Sequence, residues 1–471
     1  MEGQALVFGL AFLIICCFGL ALAVNSAQFA FTKTKMQDAA DAAAYSAAVL
    51  QARDFNYTAY TNRAMIANQV AVAQALSLKS WLDGMRQAYR LNGRLDGLAD
   101  KAEKGEAQWH APRRADRGLI DRLAQMVDVA APETVASLDA AIAAMSNSQQ
   151  AYHDAIVTGI PDAVNMIASL SDSVDGGNVI SGGLMAAPGE SGFVQWIGLS
   201  ARPDPTAGTT DRFADVVVDK ATLDNFITYR GAAESDGGSS FRFYVGSKAK
   251  NCRSGFVSIY VTHAGGTLLS QNRKQWQALD AAQAKASYFC RTDGGIDQQE
   301  FTEMVGKAGA GNGAGAGYAG RQGYGGYQNY GGKAGGTGGA LVHPLVKEAG
   351  NQQYGAGPGA SLDPSPAAGL QPYRELTDRG RAVLDAADGF APTLTVLVQQ
   401  TVGSIRKLDV IGKGSGAIGA KASARAYFMR PDDTRSGMAG SVSRRMGWAR
   451  DDGKWEYASL LNPYWQASLA P

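Results

Sequence analysis

From Ala5 to Val24 the chain is an unbroken apolar run without a charged side chain. At about 1.5 Å per residue such a run spans roughly 30 Å as a helix, the thickness of a bilayer's hydrocarbon core. Ala5, Gly9, Cys16, Cys17, Gly19 and Val24 are read as membrane-helix positions. No turn signal separates the run from Asn25–Lys35, or from the block Met36-Gln-Asp-Ala-Ala-Asp-Ala-Ala-Ala44, and nothing helix-breaking precedes Arg53. The pattern predicts a membrane helix that projects as a stalk, about 45 residues and roughly 70 Å long. Within the block, Ala39, Ala40, Ala43, Ala44, Ala47 and Ala48 recur at i, i+3/i+4 spacing. Alanine favours helix and lets backbones approach closely. The row suits an assembly seam against another subunit, our first expectation, or packing on this chain's own domain.

Helical periodicity continues from Asn62 to about Lys104, with Met65, Ile66, Val70, Val72, Ala73, Leu76, Leu78 and Trp81 on a broad apolar face. A second helical stretch runs from about Arg114 to Val157, with Pro132 a possible break and Pro161 expected to end or kink it. The texture changes near Asp175-Gly-Gly177. Short runs then read as strands: Phe193–Leu199, Val216–Val218, Phe241–Val245 and Phe256–Thr262. Residues 306–340 are rich in glycine and carry Tyr318, Tyr324, Tyr327 and Tyr330, a composition that suits a loop. A helix over Glu375–Ala387 and strands at Thr393–Gln399 and Ala422–Phe428 precede the terminal Trp455–Trp465 segment. The expected fold class is α+β: a long N-terminal transmembrane and stalk helix with a helical bundle, then a mixed α/β globular region with a Gly-rich loop. The expected divisions are a transmembrane and stalk helix over 1–52, a helical region over 53–174 and a β-rich domain over 175–305. A Gly/Tyr-rich flexible loop over 306–340 and a C-terminal α+β region over 341–471 complete them. The glycine-rich tract reads equally as an insertion within one domain.

Composition narrows the class. With 44 Lys and Arg against 43 Asp and Glu, the charge is nearly balanced, so no nucleic-acid partner is expected. Sparse charge and 58 glycines suit an extracytoplasmic protein. Of the four cysteines, Cys16 and Cys17 lie in the apolar run, whereas Cys252 and Cys290 lie in the polar part. In an oxidising compartment these two are expected to pair; otherwise they are buried thiols. Ala21-Leu22-Ala23 has the small-residue pattern of a signal-peptidase site, but only Glu2, Gly3 and Gln4 stand between Met1 and the run, so an anchor is the expectation. Lys33 and Lys35 follow the run, and the positive-inside rule taken literally would hold the body inside the cell. Long polar domains override such flanking charge, and an outward body is expected.

Three elements in order, Glu2-Gly-Gln-Ala-Leu-Val7, the apolar run and Met36–Ala44, resemble the Tad-like family of Flp pilus-assembly proteins, the TadE/TadG type. Ala422–Pro431 and Glu456–Leu469 are similar to the ends of larger Tad-like proteins. The resemblance implies a non-enzymatic, membrane-anchored, pilin-like protein. Its role would be that of a minor or tip component, or an assembly factor, of an Flp pilus, with adhesion or subunit contact through an outward globular part. The implied partners are the inner membrane, other pilus or Tad subunits and a surface or host receptor. The implied location is the bacterial inner membrane with a periplasmic domain, or the outside of the cell within a pilus. The alternative is an anchored extracytoplasmic binding module unrelated to pili. There are two departures, the first of which, with the flanking Lys33 and Lys35, favours a minor or accessory role. Ala5 stands where type IV pilin-like helices often carry glutamate, and Ser169–Asp175 does not fit the Asp-x-Ser-x-Ser metal motif of some relatives.

Other chemistry is weakly signalled. Gly414-x-Gly416-x-x-Gly419 has dinucleotide spacing, but too little chain follows for the rest of such a fold. Asp293–Glu300 imitates half a calcium loop, yet Phe289 and Arg291 fall at the missing ligand positions. The histidines (His110, His153, His263, His343) are scattered. No catalytic residue, metal or cofactor is expected.

Overall fold

The computed structural model describes residues 4–91, 94–99, 101, 106–170, 180–185, 191–203, 212–219, 221–228, 230, 243–269, 273–312, 362, 367–401, 417–430, 448–450 and 456–470. Its axis is α1, Gln4–Arg90, a continuous helix of 87 residues and about 130 Å. The stalk is therefore far longer than the pattern up to Arg53 foretold, because the apolar face at Asn62 continues the same helix. Buried positions recur every eleven residues: 36, 47, 58, 69 and 80 form one row and 40, 51, 62, 73 and 84 the next. Eleven residues in three turns is about 3.67 per turn, so a nearly straight helix keeps one face inward throughout. The helix ends where Leu91, fully buried, adopts a left-handed φ of 46°.

A short helix α2 (Arg94–Ala99) follows, then α3 (Glu106–Leu170), which runs back antiparallel along α1. Each step up α1 is matched by one step down α3. Asp54 meets His153, Thr58 meets Gln149, Lys79 meets Asp128 and Arg86 meets Asp121. Neither Pro132 nor Pro161 ends α3. A helical proline costs about 3 kcal/mol, but the residues flanking each (Ala131, Val135, Ile160, Val164) are buried and hold the helix in place.

Near the free end of the pair the helices are pinned by charge. Asp128 receives Lys79 at 2.9 Å and Arg86 at 2.9 Å, Asp83 also pairs with Lys79, and Arg90 reaches Asp121 at 3.2 Å. Partial burial pushes the Asp128 carboxyl up, but hydrogen bonds and charge from Lys79 and Arg86 outweigh this and hold it below the usual range. A depressed carboxylate stabilises the fold above its unfolded value and loses that contribution as pH falls through its folded one. Asp128→Asn is expected to cost about 1 kcal/mol at neutral pH and almost nothing near pH 2, read by urea denaturation at both.

Two antiparallel four-stranded sheets pack along α1. The sheet nearer the N-terminal end of α1 joins β1 (Ile180–Leu184), β8 (Leu394–Thr401), β9 (Ala417–Phe428) and β10 (Trp465–Ala470), in that order. The distal sheet joins β3 (Phe243–Lys248), β4 (Ser254–Leu269), β5 (Trp276–Thr292) and β6 (Gly295–Gly311). A short pair, β2 (Ser200–Ala201) with β7 (Glu375–Leu376), also bridges distant parts of the chain. Because β1 pairs with β8, this sheet draws strands from both sides of the glycine-rich tract. That tract's first residues, Gly306–Gly311, belong to β6, while residues 313–361 lie outside the described part.

Two expected strands are helical. Phe193–Leu199 overlaps α4 (Gly192–Ile197), capped by Ser191, whose hydroxyl accepts the Val194 N–H at 3.2 Å. Val216–Val218 overlaps α5 (Arg212–Val217). Strand-forming residues are a weak prior, and burial of Trp196 and Val217 against the core overrides it. Helices α6 (Asn225–Thr228) and α7 (Asp378–Ala386, capped by the Thr377 hydroxyl) complete the described elements.

Candidate membrane anchor and assembly helix

The first part of α1 stands clear of the folded body. Leu6, Phe8, Phe12, Ile15, Phe18 and Leu20 are 57–77% exposed. The most apolar stretch has a mean hydropathy of 2.8 and is wholly unburied, long and apolar enough to cross a membrane. Burying a Leu or Phe side chain is worth about 1.5–3 kcal/mol, so a medium other than water must solvate this row. Ala5 lies on the same helix, and Gly9, Cys16, Cys17, Gly19 and Val24 are exposed. Asn25–Lys35 then forms a largely exposed spacer of about 16 Å.

The body begins at Met36, the first wholly buried side chain. Ala39, Ala40, Ala43, Ala44, Ala47 and Ala48 are all at most 1% exposed and share one core with Ile418, Ala420, Ala422, Ala424, Ala426 and Phe428 of β9. Alanines of the helix thus pack on alanines of the strand, which brings α1 close to the sheet. The chain's own sheet covers this row, the second of the two packings its spacing suited. Ala44→Leu is expected to destabilise the body by about 1–3 kcal/mol through overpacking, read by urea unfolding of the purified chain. A seam reserved for a neighbour would leave that stability unchanged.

Amide side chains on α1 secure the sheets by their backbones. Gln51 Oε1 accepts from Ala426 N–H at 2.8 Å, and Asn56 exchanges two hydrogen bonds with the Trp465 backbone. Asn62 donates to the carbonyls of Arg374 and Leu460 at 3.0 and 2.8 Å. Gln69 donates to Gly369 O and accepts from the buried Trp276 indole at 2.7 Å. At the far end α1 crosses β6 with almost no gap: a Cβ on Gly306 would stand 2.7 Å from Gly84 O. Sequence reading missed this row of amides. Its signal, Gln or Asn at 51, 62 and 69 on the inward face of a helix, was visible in the eleven-residue spacing.

The two segments at the end of the chain meet. Trp465–Ala470 pairs with Ser423–Phe428, and Arg430 donates to Glu456 at 3.1 and 2.8 Å. Asn462 donates to the other Glu456 oxygen at 2.8 Å.

Buried charge is concentrated in the distal sheet. Arg230 donates to both Asp280 oxygens at 2.8 Å, to Phe226 O at 2.7 Å and to Thr267 Oγ1 at 3.1 Å. His263 Nε2 lies 2.7 Å from Asp280, and Thr267 meets Ser77 of α1 at 2.7 Å. Burial alone would raise Asp280, but Arg230 and His263 hold it down at about 2. Burial lowers His263 below its usual range despite Asp280. Arg230, His263 and Asp280 are wholly buried, so this cluster ties sheet to helix without access for a substrate. A second buried pair, His153 with Asp54 at 2.8 Å, joins α3 to α1. Among the described residues no group of three or more His, Cys, Asp or Glu is placed to hold a metal.

Cys252 and Cys290 are disulfide-bonded, with Cα atoms 5.3 Å apart, and link the loop before β4 to β5. Asp293-Gly294 lies in the β5–β6 hairpin turn, where Asp293 pairs with Arg253 at 2.8 Å. Gly419 is part of β9, while Gly414 and Gly416 lie outside the described residues.

The anchor, spacer and alanine block together decide the comparison with known proteins. Residues 3–52 match the Tad family, described as "Putative Flp pilus-assembly TadE/G-like". The match ends within the first turns of α1 that enter the body, and it supports a pilus-related role, membrane association and a place in the cell envelope. No curated protein and no solved structure matches the chain. The distal sheet and the C-terminal pair therefore rest on their own geometry.

Proposed function

We propose that this chain is a non-enzymatic, membrane-anchored, pilin-like protein that acts as a minor or tip component, or as an assembly factor, of an Flp pilus. One observation carries the reading: the matched segment is an exposed apolar helix that continues without interruption into a large folded body. In that reading the body lies outside the cytoplasmic membrane, its disulfide formed there, and contacts other Tad subunits or a surface. Burial of residues 36–90 against the chain's own sheets leaves about 30 residues of helix free for a filament, which favours an accessory role over that of the repeating subunit. The test is a clean deletion, with sheared pili and inner membrane probed separately for the protein. Loss of pili or of attachment, with the protein in either fraction, supports the reading. Normal pili and unchanged attachment overturn it and favour an anchored binding module unrelated to pili.

A further inference from the structure

The outer face of the distal sheet carries a transverse trough. Directly paired residues form three rows across the strands. The middle row is Gly246, Ser258, Ser287 and Glu300. On one side stand Tyr244, Tyr260 and Lys285, and on the other Lys248, Phe256 and Phe289. Successive same-face residues are about 6.8 Å apart along a strand, so the small side chains of Ser258 and Ser287 lie between two aromatic ridges. Tyr244 is 65% exposed, Phe256 49% and Tyr260 39%; Phe256 and Phe289 are stacked with centroids 5.9 Å apart. The Tyr244 ring and its Oη fill the space a side chain at 246 would need. The opposite face of these strands (Val257, Ile259, Val261, Ala284, Ala286) is buried, so the trough is not needed for the core.

We propose that this trough binds an acidic polysaccharide of the uronic-acid type. A pyranose ring has an apolar C–H face that stacks on the electron-rich face of an aromatic ring, bordered by hydroxyls that seek small polar partners. The ridges supply the rings, and Ser258, Ser287 and Glu300 supply the hydroxyl partners. Charge complementarity fixes the sign. Lys285 and Lys248 end the two ridges at opposite sides, whereas the floor's one carboxylate, Glu300, is turned to Ser287 Oγ at 3.4 Å. Two separated cations match carboxylates spaced along a sugar chain. The inference rests on the outward body proposed above only for its biological setting; the binding itself is a property of the purified chain.

The test is titration calorimetry of the full chain in detergent micelles with a galacturonate hexasaccharide. The comparators are a neutral glucose hexasaccharide, hexaglutamate and a six-nucleotide single-stranded DNA. The expected result is binding of the uronate at least tenfold tighter than each comparator. Tyr260→Ala should weaken it about tenfold, the loss of one stacked ring. Lys285→Gln should weaken it about threefold and reduce its salt dependence, Lys248 carrying the remainder. Gly246→Val, which evicts Tyr244 without removing it, should weaken it as well. Circular dichroism of each variant checks that the sheet is intact. No binding by the wild-type chain, equal binding of any comparator, or undiminished binding by folded variants overturns the proposal. Loss of pili on deletion bears on the functional reading and leaves this result untouched.

Discussion

Asp280→Ala is expected to destabilise the distal part of the molecule by about 3–5 kcal/mol, because removing one member of a buried ion pair strands the other. Here it strands Arg230, which keeps the carbonyls of Phe226, Gly266 and Leu279 and the Thr267 hydroxyl but loses both charge-assisted bonds, and His263, which loses its partner at 2.7 Å. Asp280→Asn keeps the shape and removes the charge, so it should recover only a small part of the loss. Urea unfolding followed by fluorescence of the buried Trp276 reads the effect, and a change below about 1 kcal/mol would show that Arg230 finds other compensation. The pH dependence of this cluster comes from two depressed values. A group whose folded pKa lies below its unfolded one stabilises the fold above the unfolded value and loses that contribution as pH falls through the folded one. His263 therefore withdraws stability as pH drops below its ordinary 6.5. Asp280 does the same between its ordinary 3.8 and about 2. The Asp280 variants should lose the lower phase of this acid sensitivity.

Removing the disulfide with Cys252→Ala and Cys290→Ala is expected to cost up to about 4 kcal/mol, the loop-entropy value for a closure of 38 residues. The strands it joins are already paired: Gly255 stands opposite Cys290 in the β4–β5 ladder. Much of the loop's freedom is thus lost on folding even without the bond, and the effect belongs to the unfolded chain. Comparing oxidised and reduced wild-type protein in urea gives the same quantity without mutation. Equal midpoints would show that the ladder alone fixes this corner.

The helices differ in how far the sequence reveals them. The apolar run and alanine spacing make the first half of α1 readable, but the stretch from Asn62 onward reads as a new element because polar residues interrupt the apolar face. Gln51, Asn62 and Gln69 are those residues, and each is buried against backbone from a distant part of the chain, partners that no local pattern reveals. The distal sheet is half legible. Phe256–Thr262 alternates clearly, whereas β5 is built on Ala278, Ala281, Ala282, Ala284 and Ala286, which read as helix formers. Alanine fits there because α1 lies against the sheet, so the reason for the strand is a neighbour far away in the chain. The six alanines of the early block are found by spacing, yet spacing alone cannot say whether the surface they meet belongs to this chain or another. The trough is hidden for a related reason: its walls come from β3, β4 and β5, and only the register sets them side by side.

The unbroken α1 makes the molecule a strut. Within the described residues no hinge separates the apolar span from the distal sheet, and from Val24 to Arg90 the helix alone sets a standoff of about 100 Å. A pull on the far sheet is delivered along the helix axis. It loads the amide clamps, the alanine interface and the antiparallel α3 in shear, all at once, rather than peeling them one by one. A protein that tethers a cell to something outside it gains from this arrangement, since many modest contacts strained together resist a force that would open any one of them alone.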